Sequence, residues 1–316
     1  MILEDRWLRE TYVDLLIESA RKDKRIVIVE ADLMKAAGTN RFAEEFKERT
    51  VDVGVAESNM IGVAAGMSAM GKLPFTHTFT AFATRRVCDQ VTLSVAYAGL
   101  NVKMMGSDPG ITAEYNGGTH MSMEDVSIMR NVPGMVIYEP VDSVQLTNIF
   151  PQILAHEGPL YIRLLRRNAA QVYEEGTKFT LGKGCIVAKG CDVTIFASGI
   201  MVAEAMMARD ELLVEGVSAE VIDIHTIKPL DEELVIKSAS KTKAVVVAEN
   251  HSIIGGLGSA ISEALGEHQP TLIRRVGVKD HFGEVGLTPF LKEKYGLTKK
   301  EIIAAAKCVI KRKETA

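Results

Sequence analysis

The chain has 316 residues, of which 47% are hydrophobic and 25% charged, and its formal net charge is −4. This length is enough for two domains of ordinary size. So small a net charge gives no reason to expect a nucleic-acid or membrane-surface partner. No apolar run approaches the roughly 20 residues that span a bilayer, and the amino-terminal stretch MILEDRWLRETY is not signal-like, so a cytoplasmic location is expected.

The first half of the chain alternates helical and strand-like segments. Residues 3–22 carry apolar side chains at helical spacing and lead into RIVIVEADL, a run typical of a buried strand. The pattern then predicts helix 40–48, strand 50–55, helix 57–71, strand 74–78, helix 83–98, strand 101–106, helix 123–130, strand 135–138, helix 142–156 and strand 160–164. Continuous apolar strands separated by helices indicate an α/β domain whose largely parallel sheet is covered on both faces.

A second α/β unit follows an irregular stretch. Residues 166–191 contain glycines, charges and short extended pieces, which predict an interdomain connection with a small hairpin. Strands are expected in DVTIFASG, at 218–223, in AVVVAEN and in TLIRRVG, with helices at 200–215, 231–240, 256–267 and beyond 287. We therefore predict a first domain over 1–170, a linker over 171–191 and a second domain over 192–316.

Metal and disulfide chemistry find no support in the sequence. The four cysteines, Cys88, Cys185, Cys191 and Cys308, are scattered, with no CxxC pair and no histidine at metal-ligand spacing. Free thiols and no metal ligands of this chain's own are therefore expected.

One carboxylate stands out in the stretch VDVGVAESNMIGVAAGMSAMG. Glu57 lies between an apolar strand-like run and a helix of small and apolar residues. Burying an unpaired ionised group costs several kcal/mol, so such an acid must hold a proton or find a donor. Both outcomes are useful in catalysis, and the alternative is an ordinary acid in the first turn of a helix.

Aromatic rings and histidines crowd the end of the next predicted strand. Phe79 and Phe82 are three residues apart and can share a helical face, where a flat heteroaromatic ring could stack. His77 and His120 are expected in loops beside them. Ligands of parallel sheets bind beyond the carboxyl ends of the strands, so this is where a site is expected.

One glycine-rich turn is a candidate for phosphate binding. The turn at 255–258, GGLG, follows a strand and opens a helix, but it does not match GxGxxG, and the chain has no GxxxxGK[ST]. A nucleotide site contained in this chain is therefore not expected, and the turn is more simply a tight connection.

These features together resemble the second half of a transketolase. The stretch GVAESNMIGVAAGMSAMGKLPFTHTFTAF matches the family's strand, catalytic glutamate, small-residue helix and aromatic pocket in order and spacing, and the loop ending GGTH also fits. The resemblance implies a pyrimidine-binding domain followed by the transketolase C-terminal domain. The family's magnesium motif, GDG with a later Asn, is absent. A separate N-terminal subunit is therefore expected to hold the diphosphate and Mg²⁺, with two copies of each chain in a heterotetramer.

The resemblance implies thiamine diphosphate as cofactor and ketol transfer as activity. Glu57 would contact a ring nitrogen of the aminopyrimidine and favour its imino tautomer, and Phe79 and Phe82 would stack on that ring. Arg85 replaces the tyrosine that usually completes the stack. The cofactor would act as electron sink while a two-carbon unit moves from a ketose phosphate to an aldose phosphate.

Substrate residues carry over less evenly. Arg9 and Arg166 match the two arginines that grip a sugar phosphate, and His120 matches a histidine that contacts substrate hydroxyls. Three positions depart from the family: Ala36 replaces a serine, Asp108 a histidine and Asn116 an aspartate that contacts a donor hydroxyl. These departures predict an altered or broader ketose preference.

Three alternatives remain open. Deoxyxylulose-phosphate synthase and the beta subunit of a 2-oxo-acid dehydrogenase share this architecture and the KPLD motif at 228–231, but both usually show AEQ where this chain has AES. The synthase is normally a longer single chain, and a dehydrogenase beta subunit would lack the two phosphate arginines. A non-catalytic regulatory subunit would not need an acid at position 57.

Overall fold

Fourteen strands and thirteen α-helices organise residues 2–315, which the computed structural model describes. The strands are β1 Leu3–Trp7, β2 Ile26–Glu30, β3 Thr50–Asp52, β4 Leu73–Phe79, β5 Lys103–Ser107, β6 Val136–Tyr138, β7 Leu160–Leu164, β8 Asn168–Ala170, β9 Cys185–Ala188, β10 Val193–Ala197, β11 Ala219–Asp223, β12 Thr226–Lys228, β13 Ala244–Ser252 and β14 Leu272–Val278.

The helices lie between these strands. They are α1 Leu8–Lys22, α2 Met34–Ala37, α3 Asn40–Glu45, α4 Glu57–Ala69, α5 Thr80–Ala83, α6 Cys88–Gln90, α7 Asp125–Arg130, α8 Ser143–Ala155, α9 Ile200–Val214, α10 Glu232–Thr242, α11 Leu257–His268, α12 Thr288–Tyr295 and α13 Lys299–Glu314. Three 3₁₀ turns, Lys47–Arg49, Arg85–Val87 and Gly110–Asn116, and a π-helix, Val91–Tyr97, complete the first half.

Two mostly parallel sheets form the framework. The first has the order β12-β6-β7-β5-β4-β2-β3 and the second β14-β13-β10-β11-β9. Only β12 and β9 run antiparallel to their neighbours in these sheets. Strands β2, β5 and β10 are buried along their whole length, as expected for strands covered on both faces. The predicted two-domain α/β fold is confirmed.

Several local predictions were wrong. Residues 3–7 form strand β1, which pairs antiparallel with β8, rather than the first turn of a helix. The predicted helix 83–98 is divided into α5, a 3₁₀ turn, α6 and the π-helix. The predicted hairpin within 166–191 does not form, because β8 pairs with β1 and β9 joins the second sheet. For β1, β8 and β9 the partner strand lies far away in sequence, so local periodicity does not indicate the pairing.

The two domains share structure. Strand β12 follows β11 of the second domain in sequence but adds to the edge of the first sheet, next to β6. Arg163, fully buried on β7, donates to Asp125 and Glu139 and also to the carbonyl of Asn250 on β13. Ser198 of the second domain donates to Glu139 at 2.8 Å. This buried charge network fixes the second domain against the carboxyl-terminal edge of the first sheet. The proposed boundaries at 170 and 191 stay predictions.

Candidate active site

The carboxyl ends of the first sheet's strands meet at one edge. Register pairs place Glu30 opposite His77, Phe79 opposite Ser107, and Ser107 opposite Leu164. The segments that follow β4, β5 and β7 therefore begin side by side. All the predicted site residues except Arg9 and Glu57 lie on these strand ends or in the segments that follow them, as expected for a parallel sheet.

Glu57 is the first residue of α4 and is only 3% exposed. Its position near the free N–H groups of a helix terminus favours a negative charge. The carboxylate has a partner that the sequence did not suggest: Arg86 Nη1 lies 2.8 Å from both Glu57 oxygens. The buried acid is therefore paired in this structure.

Arg86 also contacts the aromatic group. Its guanidinium lies 3.8 Å from the centre of the Phe82 ring, while its side chain remains 44% exposed. A planar, cationic group with N–H donors thus fills the space between Phe82 and Glu57. Helical spacing does not predict this contact, because α5 ends at Ala83 and the backbone at Thr84 is not helical.

Three rings form an aromatic cluster at the end of β4. Phe79 and Phe82 are 6.1 Å apart between ring centres, and His120 lies 5.5 Å from Phe79 and 5.1 Å from Phe82. All three pairs are edge-to-face. His120 belongs to the loop after β5 and donates to or accepts from Thr119 at 2.9 Å. The structure thus brings together the phenylalanines and the histidine that the sequence singled out.

Arg85 and Asn116 lie at the outer margin of this cluster. Arg85 pairs with Glu124 at 2.7 Å and donates to the carbonyl of Thr119 at 3.4 Å, so its guanidinium contacts the His120 loop. Asn116 is exposed at the end of the 3₁₀ turn Gly110–Asn116. Neither residue touches Phe79 or Phe82 through a recorded hydrogen bond or ring contact within residues 2–315.

His77 has a different setting from the predicted loop. It lies within β4, fully buried, and its Nδ1 is 2.8 Å from Glu30. Its other ring nitrogen lies 2.9 Å from the Tyr12 hydroxyl, and Thr39 donates to the same glutamate at 2.7 Å. This buried network links α1 and the segment after β2 to the strand that ends at Phe79. The expected loop position of His77 was wrong, whereas the predicted strand 74–78, which includes residue 77, lies within β4.

Arg9 and Arg166 are far apart in sequence, but both lie near the same acid, Asp108. Arg9 lies 4.4 Å from the centre of the Trp7 ring and donates to the carbonyl of Ala36. Arg166 Nε lies 3.2 Å from Asp108 Oδ1. Burial lowers the pKa of Arg9, and the charge of Arg166 lowers it further. Both guanidiniums act on the same carboxyl group, since burial raises the pKa of Asp108 and the charges of Arg166 and Arg9 each oppose that rise.

Two acids face these arginines. Burial raises the pKa of Asp108 to about 6, although Arg166 and Arg167 oppose that shift. Arg167, which the sequence analysis did not single out, lies 2.7 Å from Glu114. Glu114 also accepts from the Thr288 backbone N–H and hydroxyl at the start of α12. Three arginines (Arg9, Arg166 and Arg167) and two acids (Asp108 and Glu114) thus form one charged group, the arginine cluster.

The glycine turn at 255–258 is filled from inside the protein. The Glu249 carboxylate accepts from the backbone N–H groups of Leu257 at 2.7 Å and Gly258 at 3.0 Å. Burial raises the pKa of Glu249 to about 7. An internal carboxylate thus occupies the helix terminus that a phosphate would need, and the turn is a structural connection.

Within residues 2–315, no group of three or more His, Cys, Asp or Glu side chains is placed to hold a metal ion. None of the described helices is long and apolar enough to cross a membrane.

Comparison with known proteins identifies the family. Residues 7–171 match the transketolase pyrimidine-binding domain and residues 182–302 the transketolase C-terminal domain. The chain is 68% identical, over 98% of its length and 97% of the relative, to the 6-deoxy-6-sulfo-D-fructose transketolase subunit SqwH of Clostridium sp. (strain MSTE9). It is 35% identical to the 1-deoxy-D-xylulose-5-phosphate synthase of Heliobacterium modesticaldum, but spans only 46% of that protein.

A solved structure has the same extent as this chain. The match is to a split gene transketolase described as an inactive beta4 tetramer, with a TM-score of 0.88 and 41% identity, covering 96% of this chain and 98% of the other. The two domain matches, the relative of equal length and this solved structure all indicate the same family. The buried glutamate, the aromatic cluster and the arginine pair are consistent with that family. The chain therefore belongs to the transketolase family, as a subunit that corresponds to the C-terminal half of a split enzyme.

Proposed function

We propose that this chain supplies the proton-handling and substrate-binding half of a thiamine-diphosphate-dependent ketol transfer. The observation that carries the proposal is Glu57, a buried carboxylate at a helix terminus that Arg86 joins to Phe82 of the aromatic cluster. Neither the sheet nor the core requires an acid at this position. A carboxylate beside flat rings suits a group that must share a proton with a heteroaromatic base.

The residues present fit an aminopyrimidine. Arg86 places a planar, N–H-bearing group between Glu57 and Phe82, so the space accepts a flat ring that donates to the carboxylate. When bound, thiamine diphosphate would supply an electron sink for the negative charge that develops on the substrate carbon. Glu57 would share a proton with the ring nitrogen through its Oε atoms, and Phe79 and Phe82 would hold the ring in place. His120 would contact the hydroxyls of the sugar.

The acid end of the substrate would bind the arginine cluster. Arg9 and Arg166 both present guanidinium donors near Asp108, and such donors form strong hydrogen bonds with phosphate or sulfonate oxygens. The 68% identical relative is named for a sulfonated ketose. We therefore propose that the donor is a ketose with an acid group at the carbon farthest from its carbonyl, with 6-deoxy-6-sulfo-D-fructose as the first candidate. Asn116 would lie near the donor hydroxyls.

A separate N-terminal subunit is proposed to bind the diphosphate and Mg²⁺. An exposed face next to Glu57 supports this assembly: α4 presents Gly62 and Gly66 to solvent, and the adjacent π-helix presents Leu93 and Tyr97, which is 88% exposed. Apolar side chains beside small residues allow a second helix to approach closely. We propose two copies of each chain, with the cofactor between unlike subunits. A cytoplasmic location stays a prediction.

The test uses the chain together with its N-terminal subunit, thiamine diphosphate and Mg²⁺. Glu57→Gln should lower ketol transfer by at least a hundredfold while the subunits still assemble. The matched control, Glu44→Gln, removes an exposed carboxylate on α3 and should retain full activity. Near-full activity in Glu57→Gln would refute the catalytic assignment.

The donor separates the alternatives. Ketol transfer from 6-deoxy-6-sulfo-D-fructose, xylulose 5-phosphate or fructose 6-phosphate to an aldose phosphate supports the proposal. Consumption of pyruvate with glyceraldehyde 3-phosphate would instead favour deoxyxylulose-phosphate synthase activity. The chain alone should show no ketol transfer, and activity without the N-terminal subunit would contradict the split assembly. If the two assembled subunits keep the same activity when Glu57 is replaced, this would support a regulatory role for this chain.

A further inference from the structure

The charges of the arginine cluster are partly cancelled from within. Arg166 pairs with Asp108 and Arg167 with Glu114, at 3.2 and 2.7 Å. Arg9 makes no ion pair within residues 2–315, and its guanidinium stacks on Trp7 and donates to a carbonyl. With both acids ionised, three positive groups face two negative groups, so the cluster carries one net positive charge.

The two acids are held firmly within the site. Asp108 is fully buried and Glu114 nearly so. Asp108 has φ 58° and Glu114 has φ 47°, in the left-handed region that side chains other than glycine seldom occupy. Residues in such conformations persist where the surrounding contacts fix them, and they are common at functional sites. Because the acids are buried, salt in solution screens their effect on a bound anion only weakly.

A bound acid group completes this charge balance. A sulfonate carries a single negative charge, whereas a phosphate monoester carries about 1.5 to 2 negative charges at pH 7. One net positive charge therefore matches a sulfonate, while a phosphate leaves excess negative charge beside two buried carboxylates. Like-charge juxtaposition of this kind discriminates against a ligand more effectively than added attraction does.

We propose that Asp108 and Glu114 set the specificity of the arginine cluster for a singly charged sulfonate over a doubly charged phosphate. The inference rests on the proposed function, because it assumes that the acid end of the donor reaches these arginines. Asp108 has the larger effect, since it lies against Arg166 at the centre of the cluster. Burial raises the pKa of Asp108 to about 6, so the group is largely ionised at pH 8, where the test is made.

The experiment compares two donors with the same carbon chain, 6-deoxy-6-sulfo-D-fructose and D-fructose 6-phosphate, using the chain with its N-terminal subunit at pH 8. The measured quantity is kcat/KM for each donor. The wild-type ratio should favour the sulfonate at least tenfold. Asp108→Asn should shift that ratio toward the phosphate by at least tenfold, chiefly through KM, and Glu114→Gln by about threefold. Dividing the donor ratio of each variant by the wild-type donor ratio removes the effect of the different lengths of the sulfonate and phosphate groups.

Glu44→Gln is the matched control. Unlike Glu10, which lies next to Arg9 and opposes the lowering of its pKa by burial, this control removes an exposed carboxylate on α3, and it should change the ratio less than twofold. If Asp108→Asn lowers both donors equally, Asp108 only supports the fold of the loop and the inference is wrong. An unchanged ratio in both Asp108→Asn and Glu114→Gln also overturns it, although ketol transfer itself would stand. If the wild-type pair uses neither donor, the proposed substrate class fails first.

Discussion

Arg86 and Glu57 form an ion pair in which a single guanidinium nitrogen lies 2.8 Å from both carboxylate oxygens. The same guanidinium stacks on Phe82, so it covers both surfaces that we assign to the aminopyrimidine. Because the two cannot occupy this space together, Arg86 must move aside when the cofactor binds. In this structure the Arg86 guanidinium therefore takes the place that we assign to the aminopyrimidine ring, and the Glu57 carboxylate binds it there.

Removing Arg86 should strengthen cofactor binding. We expect Arg86→Ala, assembled with the N-terminal subunit, to bind thiamine diphosphate about fivefold more tightly, because displacement of a half-exposed ion pair costs on the order of 1 kcal/mol. Isothermal titration with the cofactor and Mg²⁺ measures the change. Arg41→Ala, which removes an exposed arginine paired with Asp14, serves as control. Weaker binding by Arg86→Ala would mean that Arg86 holds the cofactor rather than being displaced by it.

The exposed face of α4 should be needed for assembly. A Cβ at Gly62 meets nothing within 4 Å, so Gly62→Gln should leave the fold of the chain intact. If α4 packs closely against the other subunit, the longer side chain should weaken hetero-oligomer formation at least tenfold. Light scattering after size-exclusion chromatography of the mixed subunits measures this. Gly266→Gln places the same side chain on an equally open position of α11 and should assemble normally. Equal assembly of both variants would place the interface elsewhere.

The turn that Glu249 fills should not tolerate a side chain. A Cβ at Gly256 would overlap the Glu249 carboxylate and approach His251 Nδ1 within 2.6 Å. Because both groups are buried and Glu249 is held by two backbone donors, Gly256→Ala should destabilise the chain by about 1–3 kcal/mol. Urea unfolding followed by circular dichroism gives the difference.

Gly266→Ala provides the reference for this experiment. It lies in the same helix with open space around it, so it should be neutral or stabilising by up to about 1 kcal/mol. Similar stabilities for Gly256→Ala and Gly266→Ala would show that Glu249 can leave the turn at little cost.

Asp223 should make stability depend on pH. Burial raises the pKa of this carboxyl to about 7, although Gln145 and Tyr173 donate to it. The folded chain therefore holds the proton more tightly than the unfolded chain. Its contribution favours folding at low pH and is lost as the pH rises from about 4 to 7.

Asp223→Asn removes this titration. The wild-type chain should lose on the order of 2 kcal/mol relative to Asp223→Asn between pH 5 and pH 8. Urea midpoints at a series of pH values measure the difference. Asp210→Asn, at an exposed position, should follow the wild-type profile. Parallel profiles for wild type and Asp223→Asn would show that Asp223 is ionised in the folded chain throughout this range.

The sequence predicted the order of the main helices and strands because covered parallel strands are continuous apolar runs. Strand β7, for example, has the predicted bounds 160–164. Strand β1 was not predictable, since LEDRW has no strand pattern and exists as a strand only through pairing with β8. The π-helix at 91–97 was also hidden, because apolar spacing does not distinguish a π-helix from an ordinary helix.

The candidate site was predicted in part. The position of Glu57 after a strand and the spacing of Phe79 and Phe82 were sufficient to locate the buried carboxylate and the aromatic cluster. The sequence did not predict the partners of the site residues. Arg86, Arg167 and Glu124 are charged residues, and the direction of their side chains depends on the packed structure. Their ion pairs decide which charges remain available to a ligand, and only three-dimensional contacts show them.

Strand β12 has a practical consequence for engineering. Residues 226–228 belong in sequence to the second domain, yet they complete the edge of the first sheet beside β6. A fragment that ends at residue 191 would leave the β6 edge unpaired and open to aggregation. A chimera that joins residues 1–191 to a foreign C-terminal domain must therefore bring an equivalent strand with it.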